Sequence, residues 1–448
     1  MANAYGSPRQ RKIVLLQPPS PYLLIDRWSL PSTLLYLRSW VESLHHQVEI
    51  VNLAGMQDWL SAIPLDADIY GVTFFTPQHP HALKIATFLK ERTDALVVAG
   101  AHHATALTDE LLAESDFDVV VRGEGEITFG EVCDGKPLEG IEGLSFKRDG
   151  RIIHNPDRAF LKDIDVLPFA RLHGINLDEY AGVVLNQPHS KYHADVMTSR
   201  GCPRSCSFCA SRRFWKRRVR FHSAEYVIAH LTYLQGLGIN DFNIMDDDFA
   251  LRPARVQRIC QFLQTSGSHW SCAMRSDQAT PELAALFKAS GCKKVCLGIE
   301  SGSDRVLSLI DKQTTVAEHV KAIAILKSAG LDVLGFLMVG LPGEDEAAMT
   351  ETVRFLKEQP VDWYTISTLV PYPGTSIWKH PEDYGLSIDR SRPYSDYCSL
   401  NKYLQIKSVF SNHEEIDRHR MQMIAAMGAK CTNLSSFASA GVAPEISV

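Results

Sequence analysis

The chain has 448 residues, of which 45% are hydrophobic and 22% are charged, as in an ordinary globular protein. At roughly 150 residues per domain, this length predicts two or three domains. The 46 Lys and Arg residues against 52 Asp and Glu residues leave a formal net charge of −6, which argues against a wholly basic nucleic-acid-binding protein. No apolar run reaches the roughly 18 residues that span a bilayer, and the N-terminal run is too short for a signal peptide, so we expect a cytoplasmic protein.

The first part of the chain alternates short apolar runs with helical patterns. The runs predict strands at 12–17, 48–53, 68–75, 95–100 and 117–123. Continuous runs rich in Val and Ile are typical of strands that are buried on both faces. Helical patterns between them predict helices at 32–44, 81–93 and 108–115. This alternation indicates an α/β, Rossmann-like doubly wound parallel sheet, with a ligand crevice at the carboxyl ends of its strands.

A second series of strand and helix patterns begins near residue 191. Its six strand candidates are at 193–199, 241–246, 269–274, 294–300, 331–340 and 362–370. Each is followed by a helical or turn segment, which predicts a partial, open (β/α)6 barrel with catalytic candidates at the carboxyl ends of its strands.

The predicted domain boundaries follow from these two series. We predict a first domain at 1–140, a linker at 141–190, the barrel at 191–385 and a mainly helical C-terminal region with a mobile tail at 386–448. Within the linker, Asp149-Gly150 predicts the turn of a β-hairpin.

Three of the ten cysteines lie within eight residues, directly after the first predicted strand of the barrel. Cys202, Cys206 and Cys209 have the spacing C-x3-C-x2-C. Zinc usually takes four protein ligands, commonly as two C-x2-C pairs, whereas three thiolates would leave one iron of a four-iron cluster open for another ligand. A zinc site and three incidental cysteines are the alternatives, and the spacing favours the iron–sulfur site.

This cysteine motif after the first strand of a six-unit βα barrel resembles the radical S-adenosylmethionine (SAM) superfamily. The resemblance implies a [4Fe–4S] cluster whose open iron binds SAM, and an electron from the cluster that cleaves SAM to a 5′-deoxyadenosyl radical. It also implies an external one-electron reductant such as flavodoxin or ferredoxin. In such enzymes the cofactors carry the difficult chemistry, and the protein positions them and excludes water.

Other segments match the pattern of this superfamily strand by strand. The residues that the resemblance assigns to SAM are Phe208, Asp247, Arg275, Glu300, Ser301 and Gly340. Asp247 lies in the acidic run Asp246–Asp248, which resembles the motif for the amino group of SAM. Because aspartates often cap helices, a solvated acidic turn is the alternative. The resemblance covers about 190–385, and it identifies no further catalytic residue.

The first domain resembles the cobalamin-binding domain that precedes the barrel in one large class of this superfamily. The residues that the resemblance assigns to cobalamin are Pro18, Gly100, His102, His103, Thr105, Gly123, Glu124, Gly125 and Glu126. Small residues at strand ends would allow the backbone to approach the flat corrin ring. The alternative is a domain that keeps the fold without cobalamin.

Two features of the first domain depart from the usual pattern. Gly100-Ala101 stands where the family usually has two glycines, and the D-x-H-x-x-G segment that supplies a histidine to cobalt in many cobalamin proteins is missing. His79, His81 or Gln78 could approach the lower face of the ring, or no side chain at all.

A basic run from Arg212 to Arg220 follows the cysteine motif and contains Phe214 and Trp215. It could bind an anionic substrate or a nucleic acid. The alternative is a solvated loop in which some arginines pair with Asp246–Asp248. The acidic total and the missing pattern of a C-terminal RNA-binding domain argue against a nucleic-acid partner.

The resemblance predicts a cobalamin-dependent enzyme that methylates an unactivated carbon of a small-molecule or peptide substrate. The first alternative keeps the radical but not methyl transfer, as in a cyclisation, rearrangement or oxidation. The second is a non-catalytic binding or partner protein on a degenerate scaffold, against which the intact cysteine motif argues. The sequence predicts no membrane association.

Overall fold

The computed structural model describes residues 9–180 apart from 22, 24, 25 and 28, residues 192–398, and residues 413–430. The chain divides into two compact units. The first contains the chain up to Tyr180 together with Pro393–Asp396, and the second contains the other described residues from 192 onwards. The predicted mobile tail lies outside the described residues. Among the helices that are described, none is long and apolar enough to cross a membrane.

The first unit is a seven-stranded sheet with helices on both faces. Its elements are β1 (Lys12–Gln17), α1 (Ser32–Ser43), β2 (Gln47–Asn52), β3 (Ile69–Thr73), α2 (His79–Lys90), β4 (Leu96–Gly100), α3 (Ala101–Ala106), α4 (Thr108–Glu114), β5 (Val119–Val121), α5 (Glu126–Cys133), β6 (Leu144–Arg148) and β7 (Arg151–His154). Alternate residues of β1 enter two apolar cores, since Val14 packs with α2 and α4 while Ile13 packs with α1 and α5. The continuous apolar runs of the sequence therefore do reflect strands that are covered on both faces.

The strands of the first unit have the order β2-β1-β3-β4-β5-β6-β7. The first five run parallel, while β6 and β7 pair antiparallel with their neighbours. The strand order reverses between β1 and β3, and a ligand of a doubly wound sheet binds beyond the carboxyl ends of the strands at such a point. The loops after β1 and β3 are thus placed at the predicted crevice.

The predicted hairpin is present, but it is not part of a linker. β6 and β7 are joined by Asp149 and Gly150, both with positive φ, as a two-residue hairpin turn requires. β6 pairs with β5, so the hairpin extends the sheet and the first unit continues past the predicted boundary at residue 140. The sequence shows the hairpin locally, whereas its pairing with β5 depends on tertiary packing.

The second unit contains a six-stranded parallel sheet and a small antiparallel pair. Its elements are β8 (His193–Val196), β9 (Ser199–Arg200), α6 (Ala210–Phe214), β10 (Arg220–Phe221), α7 (Ala224–Gly236), β11 (Asp241–Ile244), α8 (Pro253–Ser266), β12 (His269–Met274), α9 (Pro281–Ala289), β13 (Cys292–Glu300), α10 (Asp304–Leu309), α11 (Val316–Ser328), β14 (Asp332–Val339), α12 (Glu346–Glu358), β15 (Trp363–Thr368), α13 (Ser376–Lys379) and α14 (His413–Met427).

The main sheet of this unit has its strands in chain order, β8-β11-β12-β13-β14-β15. All five neighbouring pairs are parallel, and helices connect most of the strands. This is the arrangement of an open (β/α)6 barrel, and the predicted fold class is confirmed. The carboxyl ends of all six strands lie at the same edge, where the cysteine motif and the acidic run are also located.

Candidate functional site

The cysteine motif occupies the loop between β9 and α6. Cys206 is buried, Cys202 and Cys209 are half-buried, and all three are free thiols. Cys209 is the last residue before α6, and its amide donates to the carbonyl oxygen of Cys206 at 3.2 Å. This turn places the second and third cysteines close together at the start of a helix.

Hydrogen bonds from the rest of the second unit fix this loop. The amide of Ser207 donates to the carbonyl oxygen of Ile310 at 3.0 Å, and Gln313 Nε2 donates to Ser205 Oγ at 2.9 Å. At the start of the loop, Gly201 has φ +94°, and a Cβ there would lie 2.1 Å from the carbonyl oxygen of Arg218. The loop is therefore anchored on both sides, and only glycine fits at position 201.

The electrostatic surroundings of the thiols fit a metal cluster. Burial raises the pKa of all three thiols, to about 12 for Cys209, and the charges of neighbouring cysteines raise the pKa of Cys202 and Cys209 further. The three thiols therefore share one neighbourhood, and a metal would supply the positive charge that crowded thiolates need.

The geometry bears on the kind of metal centre that these thiols could hold. Among the described residues no three His, Cys, Asp or Glu side chains converge closely enough to share one metal ion. A four-iron cluster instead presents a separate iron to each thiolate.

The three aspartates after β11 have different surroundings. Asp246 is buried and accepts hydrogen bonds from the amides of Thr198 and Ser199 at 2.6 and 2.9 Å, so it joins β8 to β9. Asp247 accepts a hydrogen bond from Ser211 Oγ at 2.6 Å, and its charge raises the pKa of Cys202 and Cys209. Of the two, Asp247 is thus the carboxylate that faces the cysteine loop, which the sequence alone could not distinguish.

Asp248 is a site residue that the sequence analysis did not single out. Its side chain is 1% exposed; Oδ2 accepts from Gln278 Nε2 at 2.9 Å, but Oδ1 has no hydrogen-bond partner among the described residues. Burial raises its pKa to about 6. A buried carboxylate oxygen without a partner is costly, and the ammonium group of an amino acid would satisfy it. The acidic end of β11 therefore fits the amino group of SAM.

Two charged residues at the ends of β12 and β13 complete this region. Arg275 donates to Asp277 Oδ1 at 3.1 Å and to the carbonyl oxygen of Gln313 at 2.8 Å. Glu300 has φ +64° and pairs with Lys312 Nζ at 2.8 Å, where both side chains are nearly buried. Burial raises the pKa of Cys206, and the positive charges of Lys312 and Arg275 partly offset that rise, so these side chains lie near the cysteine loop.

The other residues predicted to contact SAM differ in exposure. Phe208 is half-buried in the cysteine loop. Ser301 is fully buried, and its hydroxyl accepts from the amide of Ser303 at 3.2 Å and lies 3.4 Å from Thr352 Oγ1. Gly340 has φ +81°, and a Cβ there would lie 3.2 Å from Ile416 of α14. Ser301 and Gly340 thus make packing contacts within the second unit, whereas the charges of Asp247, Arg275 and Glu300 act on the cysteine thiols.

In the first unit, the loops after β1 and β3 are joined at the predicted crevice. Gln78 is buried, and its Nε2 donates to the carbonyl oxygen of Pro18 and to Ser20 Oγ, both at 2.9 Å. Its Oε1 accepts from the amide of Phe75 at 3.0 Å. The side chain of Gln78 is therefore used to hold the two loops together.

The loops after β4 and β5 present open space beside glycines. No atom of the described residues lies within 4 Å of a Cβ built on Gly100 or Gly123, and Thr105 Oγ1 accepts from the amide of Gly123 at 3.0 Å. Close by in the chain, the ring of His102 stacks on Phe75, which is 51% exposed, with 6.2 Å between ring centroids. Free space beside two glycines, next to a partly exposed aromatic ring, fits a corrin ring.

The other residues predicted to contact cobalamin in these loops differ in exposure. Glu124 and Gly125 are partly exposed, and Glu126 is buried as the first residue of α5. Ala101 has φ +79°, a conformation that glycine adopts without strain, at the position where the family usually has its second glycine.

Two histidines of the first unit, His79 and His103, form a buried cluster with a tyrosine from far along the chain. His79 Nε2 lies 2.8 Å from Glu114 Oε1, and the ring of His79 lies 4.7 Å from that of His103. Tyr394 packs edge-on against both rings at 5.0 and 4.8 Å, and its hydroxyl donates to Glu110 at 2.7 Å. His103 is 1% exposed, so its ring packs inside the first unit and does not line an open surface.

The two histidines named as possible cobalt ligands therefore have other contacts. Burial lowers the pKa of His79 to about 4, so near neutral pH the ring is uncharged and donates from Nε2 to Glu114. His81 packs edge-on against Trp59 at 5.6 Å.

The first unit is expected to lose stability in acid between about pH 6.5 and pH 4. Burial lowers the pKa of His79 from 6.5 to about 4, so in this range the unfolded chain binds more protons than the folded one. Folding stability therefore falls as the pH falls, by about 3 kcal/mol for this group.

Hydrogen exchange of the α2 amides across this pH range would measure the loss. His79→Phe is expected to flatten the dependence, while the exposed His173→Phe is the matched control and keeps the wild-type slope. Equal slopes for wild type and His79→Phe would contradict the assignment.

Comparison with known proteins supports a separate family assignment for each of the two units. The profile of the radical SAM superfamily matches residues 196–356, and that of the B12 binding domain matches residues 31–133. An uncharacterized methyltransferase of Pyrococcus horikoshii is 32% identical over 421 residues, which cover 89% of each chain. The chain belongs to the cobalamin-binding radical SAM family. As a radical SAM enzyme of this family, it uses a [4Fe–4S] cluster, SAM and cobalamin.

Two further relatives are more distant. A cytidylyl-2-hydroxyethylphosphonate methyltransferase of Streptomyces wedmorensis is 25% identical and covers 75% of this chain and 73% of its own. An anaerobic magnesium-protoporphyrin IX monomethyl ester cyclase of Cereibacter sphaeroides is also 25% identical, covering 77% of this chain and 57% of its own.

A solved structure of this class shares the fold. The radical SAM methyltransferase TsrM of Kitasatospora setae, with tryptophan substrate and a SAM analogue bound, matches with a TM-score of 0.73 at 16% identity. The match covers 94% of this chain and 91% of that one.

Proposed function

We propose that the protein is a cobalamin-dependent methyltransferase that acts on an unactivated carbon of a small-molecule or peptide substrate. The observation that carries this proposal is the 32% identity with a methyltransferase along 89% of both chains, which spans the cobalamin-binding and barrel halves together. The open glycine loops of the first unit and the cysteine loop of the second support it, because both cofactors of such a reaction have fitting surroundings.

Some residues of the chain would hold the cofactors, and others would exclude water from them. We assign Cys202, Cys206 and Cys209 to the cluster, and Asp247 and Asp248 to the amino group of SAM. When bound, the cluster and SAM supply a 5′-deoxyadenosyl radical and cobalamin supplies a carrier for the methyl group.

Charged side chains beside the cysteine loop would orient the cofactor. Arg275, whose orientation is fixed by Asp277, would hold a carboxylate. The Glu300–Lys312 pair, nearly buried, would present fixed charges near Cys206 and exclude water from it.

The inner face of the barrel offers a surface for the substrate. The strand register places Asp195, Asn243 and Ser271 side by side, with Asn243 Nδ2 donating to Asp195 and Ser271 Oγ donating to Asn243, both at 3.0 Å. Met245 and Phe336 on the same face of the sheet are 54% and 38% exposed, which is unusual for such side chains in a barrel. Polar groups beside exposed apolar side chains are typical of a small-molecule site.

The test is a search for methylated product with labelled SAM. Anaerobically reconstituted protein, reductant and trideuteromethyl SAM are incubated with cell extract, and products are sought by mass spectrometry. We expect a compound that gains one deuterated methyl group, together with S-adenosylhomocysteine and 5′-deoxyadenosine. Cobalamin-free protein is the control and should give none of this product.

A radical cyclisation or oxidation is the second candidate, because cyclases are among the relatives. It predicts 5′-deoxyadenosine and a product without the deuterated methyl group. Such a product would overturn the methyltransferase proposal while leaving the radical SAM assignment intact.

A further inference from the structure

A group of exposed cationic side chains lies on the turn that follows the cysteine loop. Arg213, Lys216, Arg217 and Arg218 are exposed, and Lys379 at the end of α13 is exposed as well. We call these five residues the cationic turn. In a chain whose formal net charge is −6, such a local concentration of positive charge is distinctive.

The cationic turn packs directly on the cysteine loop. Arg217 Nε donates to the carbonyl oxygen of Pro203 at 3.2 Å, next to Cys202. The carbonyl oxygen of Arg218 and the side chain of Trp215 approach Gly201 so closely that a Cβ there would lie 2.1 and 3.0 Å from them. The cationic turn is therefore the exposed surface immediately outside the first cysteine.

The acidic run does not neutralise these charges. The aspartates of that run take their hydrogen bonds from Thr198, Ser199, Ser211 and Gln278. Partial burial lowers the pKa of Lys379, and the positive charge of Arg213 lowers it further, so these two cations lie near each other. Arg217 donates instead to the carbonyl oxygen of Pro203, and among the described residues no hydrogen bond joins Arg213 or Arg217 to Asp246–Asp248.

Reduction of a buried cluster needs a surface at which an external electron donor can dock. We propose that the cationic turn docks an acidic one-electron carrier protein, whose negative charge is steered to this surface. One electron passes from the reduced carrier to the oxidised cluster, the carrier is oxidised by one electron, and no atom is transferred. Electrostatic complementarity of this kind speeds encounter and weakens with salt. The inference rests on the cluster assignment of the proposed function, but not on methyl transfer.

The test uses the reconstituted full-length protein and an acidic flavodoxin. The variant Arg213→Glu with Arg218→Glu reverses two charges and keeps the contact of Arg217 with the cysteine loop. Its matched control is Arg354→Glu with Lys357→Glu, two exposed residues of α12. Flavodoxin affinity at low salt is measured by calorimetry, and cluster reduction is followed by its visible absorption.

We expect flavodoxin binding to weaken on the order of tenfold in the Arg213/Arg218 variant, with a smaller salt dependence, and to be unchanged in the α12 control. Reduction by titanium(III) citrate, which needs no docking surface, should be the same in all three proteins. Equal flavodoxin affinity for wild type and variant would overturn the docking proposal. The docking proposal would also be overturned if the Arg213/Arg218 variant lost binding to a single-stranded RNA oligonucleotide but kept binding to flavodoxin.

A cluster that titanium(III) citrate cannot reduce in any of the proteins would contradict the cluster assignment instead. The flavodoxin affinities would still decide whether the cationic turn is a docking surface.

Discussion

Replacing Cys206 by alanine is expected to abolish cluster assembly and reductive cleavage of SAM. Cys206 is the most buried of the three cysteines and lies near Arg275, Lys312 and Glu300, so no water-exposed group can take its place. Loss of an outer hydrogen-bond partner of a metal ligand costs about 10- to 100-fold, so loss of a ligand itself should reduce 5′-deoxyadenosine release by at least about a thousandfold.

Iron and sulfide content and anaerobic visible absorption of Cys206→Ala would check this expectation, alongside chromatography of 5′-deoxyadenosine. The matched control is Cys260→Ala, since Cys260 is a buried free cysteine on α8. The control should lose about 1 kcal/mol of folding stability and keep its cluster. A Cys206→Ala protein with wild-type iron content and SAM cleavage would show that the cluster is held elsewhere.

Gly201→Ala is expected to displace the cysteine loop and prevent cluster assembly. The substitution meets two obstacles, a φ of +94° and a contact of 2.1 Å with the carbonyl oxygen of Arg218. Backbone cannot give way as a flexible side chain can, so either the loop or the turn at 215–218 must move. We expect a loss of about 3 kcal/mol or more in folding stability, together with low iron content.

Gly267→Ala tests the effect of a left-handed backbone without the close contact to another residue. Gly267 follows α8 with φ +66°, but in the part of the chain that the structure describes no atom lies within 4 Å of a Cβ built there. This variant should lose only about 1 kcal/mol, the cost of a left-handed alanine, and should bind a full cluster. If both variants lost the same stability, or if Gly201→Ala retained its iron, the close approach at Gly201 would not be what shapes the loop.

The regular elements of this protein are readable from its sequence, because they depend on local patterns. The apolar run 12–17 is β1 with the same bounds, and the six strand candidates of the barrel appear in chain order in one sheet. Predicted bounds are less accurate where an apolar run continues past the end of a strand. The run 68–75 includes Phe74 and Phe75, but β3 ends at Thr73 and a short 3-10 helix begins at Thr76.

The site was predictable where its residues form a short motif, and not where it depends on distant pairs. The three cysteines and the acidic run each occupy a few consecutive residues, so their residue types and spacing are informative. The partnership of Glu300 with Lys312, the left-handed backbone of Glu300 and the unpaired oxygen of Asp248 are produced by packing. The contact of Tyr394 with His79 joins residues too far apart in sequence for any local pattern to indicate.

Tyr394 also limits how the first unit can be produced as a separate fragment. Pro393–Asp396 belongs to the first unit, although the described residues before it, from 192 to 392, all belong to the second. A fragment ending at residue 180 would lack the ring that packs edge-on against both His79 and His103, and it would leave Glu110 without the hydroxyl of Tyr394. Excision of the cobalamin-binding half for separate expression therefore calls for a circularly permuted or grafted design that restores these four residues.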